Sequence, residues 1–394
     1  MHLYNSLTRQ KEEFKPIQAK NVTLYVCGIT PYDTTHLGHA FTYISFDLLV
    51  RFLQFQKYNV TYTQNVTDIN DRDSDILKRA QEQNTTWKNL TEFWTNKFLS
   101  DMKTLNWIAP TNYLYASQQI PSMISLIQRI IDNEFGYVIH GAVFLDTGKV
   151  SDFGKLSKLT HEEMLIRAKD FEEDLDNPDK RNPLDITLWR PSTPNQAPHI
   201  PSFDSPWGKG RPGWHIECSA MSISSLGEQI DIHGGGIDLI YPHHESEVAQ
   251  SESGTLKKPF VTYWLHTGTV YINEQKMSKS LGNLILVSDL LKKYSANAIR
   301  WVLLSHHYRE KWEYNDTEFA NAEAIIKQIS ANLQNNTNHQ TIEKNYKDLA
   351  EKLLSDDLNA PALLKEIEKS ATISLSLTQK KEIQEILHMI GFVF

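Results

Sequence analysis

The chain has 394 residues, enough for two or three domains with a large buried core. Hydrophobic residues make up 40% of it and charged residues 22%, as in ordinary globular proteins, and no segment approaches the length that spans a bilayer. The formal net charge is −8. Because proteins that grip a long nucleic-acid backbone usually have a basic surface, this charge lowers the expectation of a nucleic-acid partner. The first 20 residues lack the apolar stretch of a signal peptide, so we expect a cytoplasmic protein.

The first predicted elements form a strand–helix–strand unit. Residues 22–28 are β-branched and aromatic, which is typical of a buried strand. Apolar residues at helical spacing predict a helix from about Thr35 to Gln56, and residues 60–65 predict a second strand. Two such strands pair in parallel through a right-handed crossover. We therefore expect an α/β fold with a Rossmann-like, doubly wound parallel sheet.

The rest of the chain predicts an insertion, a second half of the sheet and a helical end. Residues 74–135 have helical patterns, and residues 136–200 are irregular except for a short hairpin near 137–145. Strand signals return at 229–233 and 260–270, with a helix from about 242 to 252 between them. The polar run 332–341 is expected to link two C-terminal helices. The predicted parts are the first half of a nucleotide-binding domain at 1–94, an inserted connective region at 95–200, the second half at 201–286 and a helical C-terminal domain at 287–394.

Two histidines lie where the first strand meets its helix. His36 and His39 flank Gly38 at positions i and i+3, on one face of the first helical turn. A helix N-terminus has free N–H groups and a positive dipole end, so it favours phosphate. Two imidazoles there can bond an α-phosphate as charge builds on it. Taken alone, the pair is equally compatible with two surface histidines near a helix cap.

A second motif contains two lysines among small hydroxyl residues, at residues 276–280. Lys276 and Lys279 follow a predicted strand and suit a clamp on pyrophosphate. An ordinary solvated loop would look the same in isolation.

Together, the two motifs resemble the signature sequences of class I aminoacyl-tRNA synthetases, in the same order on either side of an insertion. Over roughly residues 25–310 the chain resembles the cysteinyl-tRNA synthetases and their relative, the mycothiol-pathway cysteine ligase. The resemblance implies an enzyme that activates L-cysteine with ATP and Mg²⁺ as cysteinyl-adenylate. The matching stretches are 25–39, 65–71, 210–221, 231–247 and 266–283, and the implied catalytic residues are His36, His39, Lys276 and Lys279.

A possible metal site involves the only two cysteines of the chain. Taken alone, two distant cysteines are usually buried or incidental thiols, and a disulfide is not expected in a reducing compartment. His243 and Glu247, however, are spaced i and i+4 on one helical face, and two thiolates, an imidazole and a carboxylate form a plausible zinc set. The resemblance points to four ligands of one Zn²⁺ ion: Cys27, Cys218, His243 and Glu247.

His244 and Glu245 are the competing ligand candidates. We expect them to support the ligands from behind or to have a structural role, rather than to bind the ion. The expected role of the zinc ion is specificity. Serine differs from cysteine only by oxygen for sulfur, and a pocket that reads shape alone separates the two poorly. A soft metal prefers a thiolate strongly over a hydroxyl.

The resemblance also implies contacts to the adenylate. Trp214 would close the wall behind the thiol, although an ordinary core tryptophan is the simpler reading. Glycines at 234–236 would let the backbone pack against adenosine, and Asp238 suits the ribose hydroxyls. The implied substrate residues are Cys27, Gly28, Ile29, Thr30, Thr42, Asn65, Val66, Thr67, Trp214, Gly236, Ile237, Asp238 and Val270.

The sequence favours a small amine over tRNA as the acceptor. Residues 26–40 and 305–310 resemble the mycothiol-pathway ligase more than a typical cysteinyl-tRNA synthetase. The chain after Ser280 is short for a further anticodon-binding domain, and no arginine follows Glu310. Arginine is the preferred residue for phosphate and base contacts. We therefore expect a monomer, without a membrane partner, that forms an amide with an amine such as glucosaminyl-inositol.

Two alternatives stay open. The protein could be a cysteinyl-tRNA synthetase, or a truncated paralogue of one, because Glu247 is the ligand expected of a tRNA synthetase and residues 173–178 lack the glycines of the mycothiol ligase. It could also be a catalytically silent protein that binds cysteine or adenylate as a regulator. The intact histidine and lysine motifs argue against that role.

Overall fold

The structure is a computed structural model that describes residues 1–33, 35–193, 196–197, 199–277, 282–335 and 344–394. These residues form fourteen strands. In chain order, the strands are β1 His2–Asn5, β2 Gln10–Glu13, β3 Asn21–Ile29, β4 Asn59–Val66, β5 Asn112–Tyr115, β6 Gly136–Ile139, β7 Ala142–Leu145, β8 Ile186–Pro191, β9 Gly210–Pro212, β10 Ile230–Gly236, β11 Val261–Thr267, β12 Val270–Ile272, β13 Gln275–Lys276 and β14 Trp312–Glu313.

The same described residues form thirteen α-helices, besides three short 3₁₀ turns. In chain order, the helices are α1 Leu37–Phe55, α2 Ile76–Glu82, α3 Trp87–Thr104, α4 Ile120–Asp132, α5 His161–Asp170, α6 Trp214–Leu226, α7 His243–Thr255, α8 Val287–Leu290, α9 Ala296–Ser305, α10 Asp316–Gln334, α11 Tyr346–Leu354, α12 Ala360–Ser370 and α13 Leu377–Met389. None of them, within the described part of the chain, is both long and apolar enough to cross a membrane.

A five-stranded sheet forms the centre of the molecule, in the order β11-β10-β3-β4-β5, and every pair in it is parallel. Side chains of β3 alternate between the two faces. Leu24 and Val26 join a core with α1 and α9, whereas Tyr25 and Cys27 join a core with α4, α6 and α7. Helices therefore cover both faces, which confirms the predicted α/β fold with a parallel central sheet and a helical C-terminal region.

The second sheet takes three strands from the predicted insertion and its last strand, β9, from the segment after residue 200. It is antiparallel, in the order β6-β7-β8-β9. Its first two strands are the hairpin predicted near 137–145. Helix α5 and strand β8 also lie within 136–200, which the sequence suggested to be irregular. Asp, Asn and Pro are frequent there and indicate loops, so the sequence did not indicate these two short elements, whose partners are distant in sequence.

One predicted boundary conflicts with the topology. Strand β5 pairs with β4 in the central sheet, and helix α4 packs against α6 and α7, yet both lie within the predicted insertion at 95–200. The four residues of β5 are all half-buried, so no alternation of buried and exposed side chains marks them as a strand. The other predicted boundaries, at 200 and 286, stay predictions. Helix α10 also extends to Gln334, so the predicted polar linker begins later, and most of it lies outside the described residues.

Candidate active site

A cleft of about 500 Å³ opens at the carboxyl ends of β3 and β10. The chain runs outward from β3 through β4 to β5, and then returns on the other side as β10 and β11. In doubly wound sheets this reversal of strand order is where ligands bind. The cleft therefore lies at the position that the fold itself favours for a substrate.

Fifteen of the predicted site residues line this cleft. They are Cys27, Gly28, Thr30, His36, His39, Thr42, Asn65, Thr67, Trp214, Cys218, Gly236, Asp238, His243, Val270 and Lys276. Four others do not line it. Glu247 is fully buried, Ile29 and Val66 are buried in strands, and Ile237 is 46% exposed. Lys279 falls outside the described residues.

Several lining residues carried no recognisable pattern in the sequence. Arg72 lies in a loop between β4 and α2, and Phe171 comes from the inserted segment just after α5. Arg72 directly follows the matching stretch 65–71 but falls outside it, and Phe171 is far from every motif, so spacing assigned neither residue. The lining residues that were not predicted as site residues are Tyr32, Gly38, Tyr43, Asn70, Arg72, Asp75, Phe171, Leu239, Gly268, Thr269 and Met277.

His36 is the N-cap of helix α1, and His39 lies in its first turn. The backbone N–H of His39 donates to Nδ1 of His36 at 3.3 Å, and the two rings stack with centroids 3.7 Å apart. Capping fixes the start of the helix and the pair of rings together. Two imidazoles are thereby held side by side at the positive end of a 19-residue helix.

Lys276 reaches the cleft from the short strand β13. Its Nζ lies 2.9 Å from Oδ2 of Asp238, and both side chains are partly exposed. The chain returns after the lysine motif beside α1, where the N–H of Leu37 donates to the carbonyl of Ile285 at 2.8 Å. Lys276, the described start of the lysine motif, therefore lines the same cleft as the two histidines, although about 240 residues separate them in the sequence.

Gly28 and Asn65 join the ends of β3 and β4. Pairing between these strands is irregular from Val26 to Ile29, and the N–H of Gly28 donates to Oδ1 of Asn65 at 2.7 Å. Nδ2 of Asn65 in turn donates to the hydroxyl of Thr67 at 3.1 Å. A methyl group on Gly28 would come within 1.6 Å of the Asn65 carbonyl oxygen, so only glycine fits here.

Four potential metal ligands meet at the base of the cleft. Cys27 lies near the end of β3, Cys218 lies on α6, and His243 and Glu247 lie one turn apart on α7. One ligand atom from each residue falls within 4.8 Å of the others. The two sulfur atoms are 3.8 Å apart, and Oε1 of Glu247 lies 3.5 Å from Cys27 Sγ and 3.3 Å from His243 Nε2. This is the set that the resemblance implied.

A second grouping shares Cys27 and Glu247 but replaces the other two residues by His233 and His244. His233 Nε2 lies 2.9 Å from Oε2 of Glu247, and His244 Nδ1 lies 2.8 Å from Nε2 of His266. A soft ion such as Zn²⁺ favours the grouping with two thiols. His233 and His244 then hold the ligands in place from behind.

Burial shifts the pKa of two of these residues. It raises the pKa of the Cys27 thiol and lowers the pKa of the His243 imidazole. A neutral imidazole has a free lone pair for a metal, and a buried thiol gives up its proton when a cation replaces it. The residues present therefore fit a zinc ion. Glu245 has a different role, because its carboxylate accepts the backbone N–H groups of Gly154, Leu156 and Ser157.

The chain is similar in sequence to a known protein family and to several of its members. Residues 13–324 match the family of class I (C) tRNA synthetase catalytic domains. A cysteine--tRNA ligase of Coxiella burnetii is 43% identical over 364 residues, covering 92% of this chain and 77% of that protein. One of Legionella pneumophila is 40% identical over 393 residues, covering 96% and 83%.

A solved structure shares the fold at much lower sequence identity. The Mycobacterium tuberculosis methionyl-tRNA synthetase in complex with methionyl-adenylate is 13% identical and superposes with a TM-score of 0.64. The match covers 94% of this chain and 88% of that one. With a family match over most of its length and relatives above 40% identity, the chain belongs to the class I (C) tRNA synthetase catalytic-domain family and is an ATP-dependent ligase.

Proposed function

We propose that this enzyme activates L-cysteine with ATP and Mg²⁺ and transfers the cysteinyl group to tRNA. The observation that carries the proposal is the group of two thiols, an imidazole and a carboxylate at the base of the cleft, below His36, His39 and Lys276. The two histidines and the lysine suit the phosphates of ATP, and the metal-ligand group suits the thiol of cysteine, so one cleft can hold both substrates. Relatives that are named cysteine--tRNA ligases support the same pair of substrates.

Activation joins a carboxylate oxygen of cysteine to the α-phosphorus of ATP, and the bond to pyrophosphate breaks. Negative charge builds on the phosphate oxygens during this step. We assign the binding of those oxygens to His36 and His39, which lie at the N-terminus of α1, and the binding of the departing pyrophosphate to Lys276, which lines the same cleft. Lys279 has the same expected role from the resemblance and lies outside the described residues.

Selection of cysteine over serine is assigned to the base of the cleft. Cys27, Cys218, His243 and Glu247 would hold the zinc ion. When bound, zinc supplies a soft Lewis acid that prefers a thiolate to a hydroxyl. Trp214, whose ring stacks on His243, limits the size of the side chain that can enter.

The proposed acceptor is tRNA, with its terminal hydroxyl attacking the carbonyl carbon of cysteine as AMP leaves. The sequence favoured a small amine, and none of the relatives described above supports a mycothiol-specific ligase. Glu247, the ligand that the resemblance to tRNA synthetases leads us to expect, also lies within the cluster. A silent regulator has no support, because the described phosphate-handling and metal-ligating residues line or underlie one cleft.

The test has two stages. Purified protein should exchange pyrophosphate into ATP only when cysteine is present, and His39→Ala should slow this exchange about 10²–10³-fold. His140→Ala is the control, because His140 is exposed and bonds only to the surface residue Asp179 among the described contacts. Exchange that needs no cysteine, or prefers another amino acid, would refute activation.

In the second stage the enzyme receives ATP, cysteine and either bulk bacterial tRNA or glucosaminyl-inositol, and the product is identified by mass. Cysteinyl-tRNA is expected. Amide formation with the amine, and no product with tRNA, would overturn the choice of acceptor while leaving activation intact.

A further inference from the structure

A chain of contacts leads from the wall of the cleft to the inserted segment. The ring of Trp214 stacks on His243 with centroids 4.4 Å apart, and the guanidinium carbon of Arg72 lies 4.2 Å from the centre of the Trp214 ring. Nδ1 of His215 lies 2.8 Å from Nδ1 of His243, and Nε2 of His215 lies 3.1 Å from Oε1 of Glu173. The same Glu173 oxygen accepts a hydrogen bond from Arg72 Nη2 at 3.0 Å. One carboxylate thus supports both rings.

The backbone after α5 brings Glu173 to this position. The preceding residue, Glu172, has a left-handed conformation with φ of 55°, and the N–H of Glu173 donates to the carbonyl of Ala168 at 3.0 Å. This reversal turns the chain back toward the cleft, where Phe171 is a lining residue. Glu173 is therefore held by the end of a helix rather than by a free loop.

The hydrogen-bond directions in the chain of contacts follow from the chemistry of a carboxylate. Burial alone would raise the pKa of Glu173, but His215 and Arg72 lower it to about 2, so the side chain is an anion that can only accept. With the hydrogen of His215 assigned to Nε2, which faces this carboxylate, its Nδ1 accepts from Nδ1 of His243. His243 keeps its lone pair on Nε2, the atom that lies 3.3 Å from Glu247 Oε1 within the cluster.

We propose that Glu173 is a positioning residue for cysteine recognition. Through His215 it presents Nε2 of His243 to the metal cluster, and through Arg72 it holds Trp214 against the base of the cleft. Through Glu173, the inserted segment thus helps to set specificity for the thiol. Glu173 acts indirectly and does not itself contact the substrate. This role rests on the proposed function, since it concerns the same cleft and the same amino acid.

The variants Glu173→Ala and Glu173→Gln test this role, with Glu162→Ala as the matched control. Glu162 carries the same charge, is exposed and lies in the first turn of α5, at the opposite end of the helix from Glu173. Each protein is loaded with Co²⁺, whose visible absorption reports the ligand geometry, and the rate of metal release to a chelator is measured. Cysteine-dependent pyrophosphate exchange then gives KM and kcat, and circular dichroism checks the fold.

We expect Glu173→Ala to change the cobalt spectrum, to weaken metal retention by about 10–100-fold, and to raise KM for cysteine more than it lowers kcat. Glu173→Gln keeps an acceptor oxygen and should fall between the alanine variant and the parent protein. Glu162→Ala should match the parent protein in every measurement.

A folded Glu173→Ala protein with the parental spectrum, metal retention and KM would overturn the proposal. If Glu173→Ala does not fold, the glutamine variant decides: parental values in all three measurements would overturn the proposal in the same way. Absence of cysteine-dependent exchange in the parent protein would instead refute the proposed function, and the cobalt spectra would still report whether Glu173 orients His243.

Discussion

Cys218 is the residue whose side-chain chemistry is most directly testable. Replacement of its sulfur by the oxygen of serine removes one of two soft donors without changing the shape of helix α6. We expect Cys218→Ser to lose most of its zinc, measured by atomic emission, and to discriminate less between cysteine and serine in pyrophosphate exchange. Ser224→Ala, on the same helix, is the control. Full zinc content with unchanged discrimination in Cys218→Ser would contradict the assigned role.

Gly28 makes a second prediction at the scale of one residue. Because an added methyl group would meet the Asn65 carbonyl oxygen at 1.6 Å, Gly28→Ala must push apart the ends of β3 and β4. We expect a loss of about 1–3 kcal/mol in the free energy of unfolding and a raised KM for cysteine, measured by denaturant unfolding and pyrophosphate exchange. Gly148→Ala is the comparison, since Gly148 is exposed and the nearest atom to an added methyl group there would be Oδ1 of Asp146 at 3.2 Å. Equal behaviour of the two variants would show that the strands tolerate the methyl group.

Among the elements, helix α5 has a complete capping box at its start. The hydroxyl of Thr160 accepts from the N–H of Glu163 at 3.3 Å, and the Glu163 carboxylate accepts from the N–H of Thr160 at 2.7 Å. Thr160→Ala removes one half of this pair, so we expect α5 to open more readily by about 1 kcal/mol.

Amide hydrogen exchange over residues 161–170 measures this opening. The prediction is a roughly fivefold faster exchange, which is what about 1 kcal/mol corresponds to. Thr372→Ala, in an exposed turn after α12, should leave exchange in α5 unchanged. Identical protection of α5 in both variants would mean that packing of the insertion, and not its cap, holds the helix.

At the scale of the whole molecule, Arg300 connects the central sheet domain to the C-terminal helices. It is fully buried on α9 and forms an ion pair with Asp47 on α1. Its Nε donates to the carbonyl of Ile390 at 2.8 Å, and its Nη1 to that of Leu105 at 3.0 Å. One side chain therefore joins segments from three regions of the sequence.

Arg300→Met leaves the Asp47 carboxylate buried without this partner. Removal of one member of a buried pair costs about 3–5 kcal/mol, and we expect a loss of that size in the free energy of unfolding in guanidinium chloride. Lys292→Met is the control, because the Lys292–Asp289 pair is exposed and such pairs contribute at most about 1 kcal/mol. An Arg300→Met protein as stable as this control would show that Asp47 is compensated by Arg51 and by the N–H of Ile108.

The sequence by itself determined the strands, helices and motifs that depend on residues close together along the chain. The strand at β3, the helix beginning beside His36 and the C-terminal helices all follow from local patterns of apolar residues, and the structure contains each of them. The histidine and lysine motifs could be recognised because their members are a few residues apart. Cys27 and Cys218 could be paired only through resemblance, since no spacing relates residues so far apart.

Only the tertiary structure decided how distant segments meet. Helix α7 is rich in His, Glu and Ser, yet every one of its residues is buried. Its polar sequence is typical of an exposed helix. Burial of these polar groups is favourable only because β10, the insertion and the two thiols supply partners for them. Strand β5 and Glu173 were missed for the same reason. Their roles come from partners about 50 and 40 residues away, and the free energy of those contacts leaves no periodic pattern in the sequence.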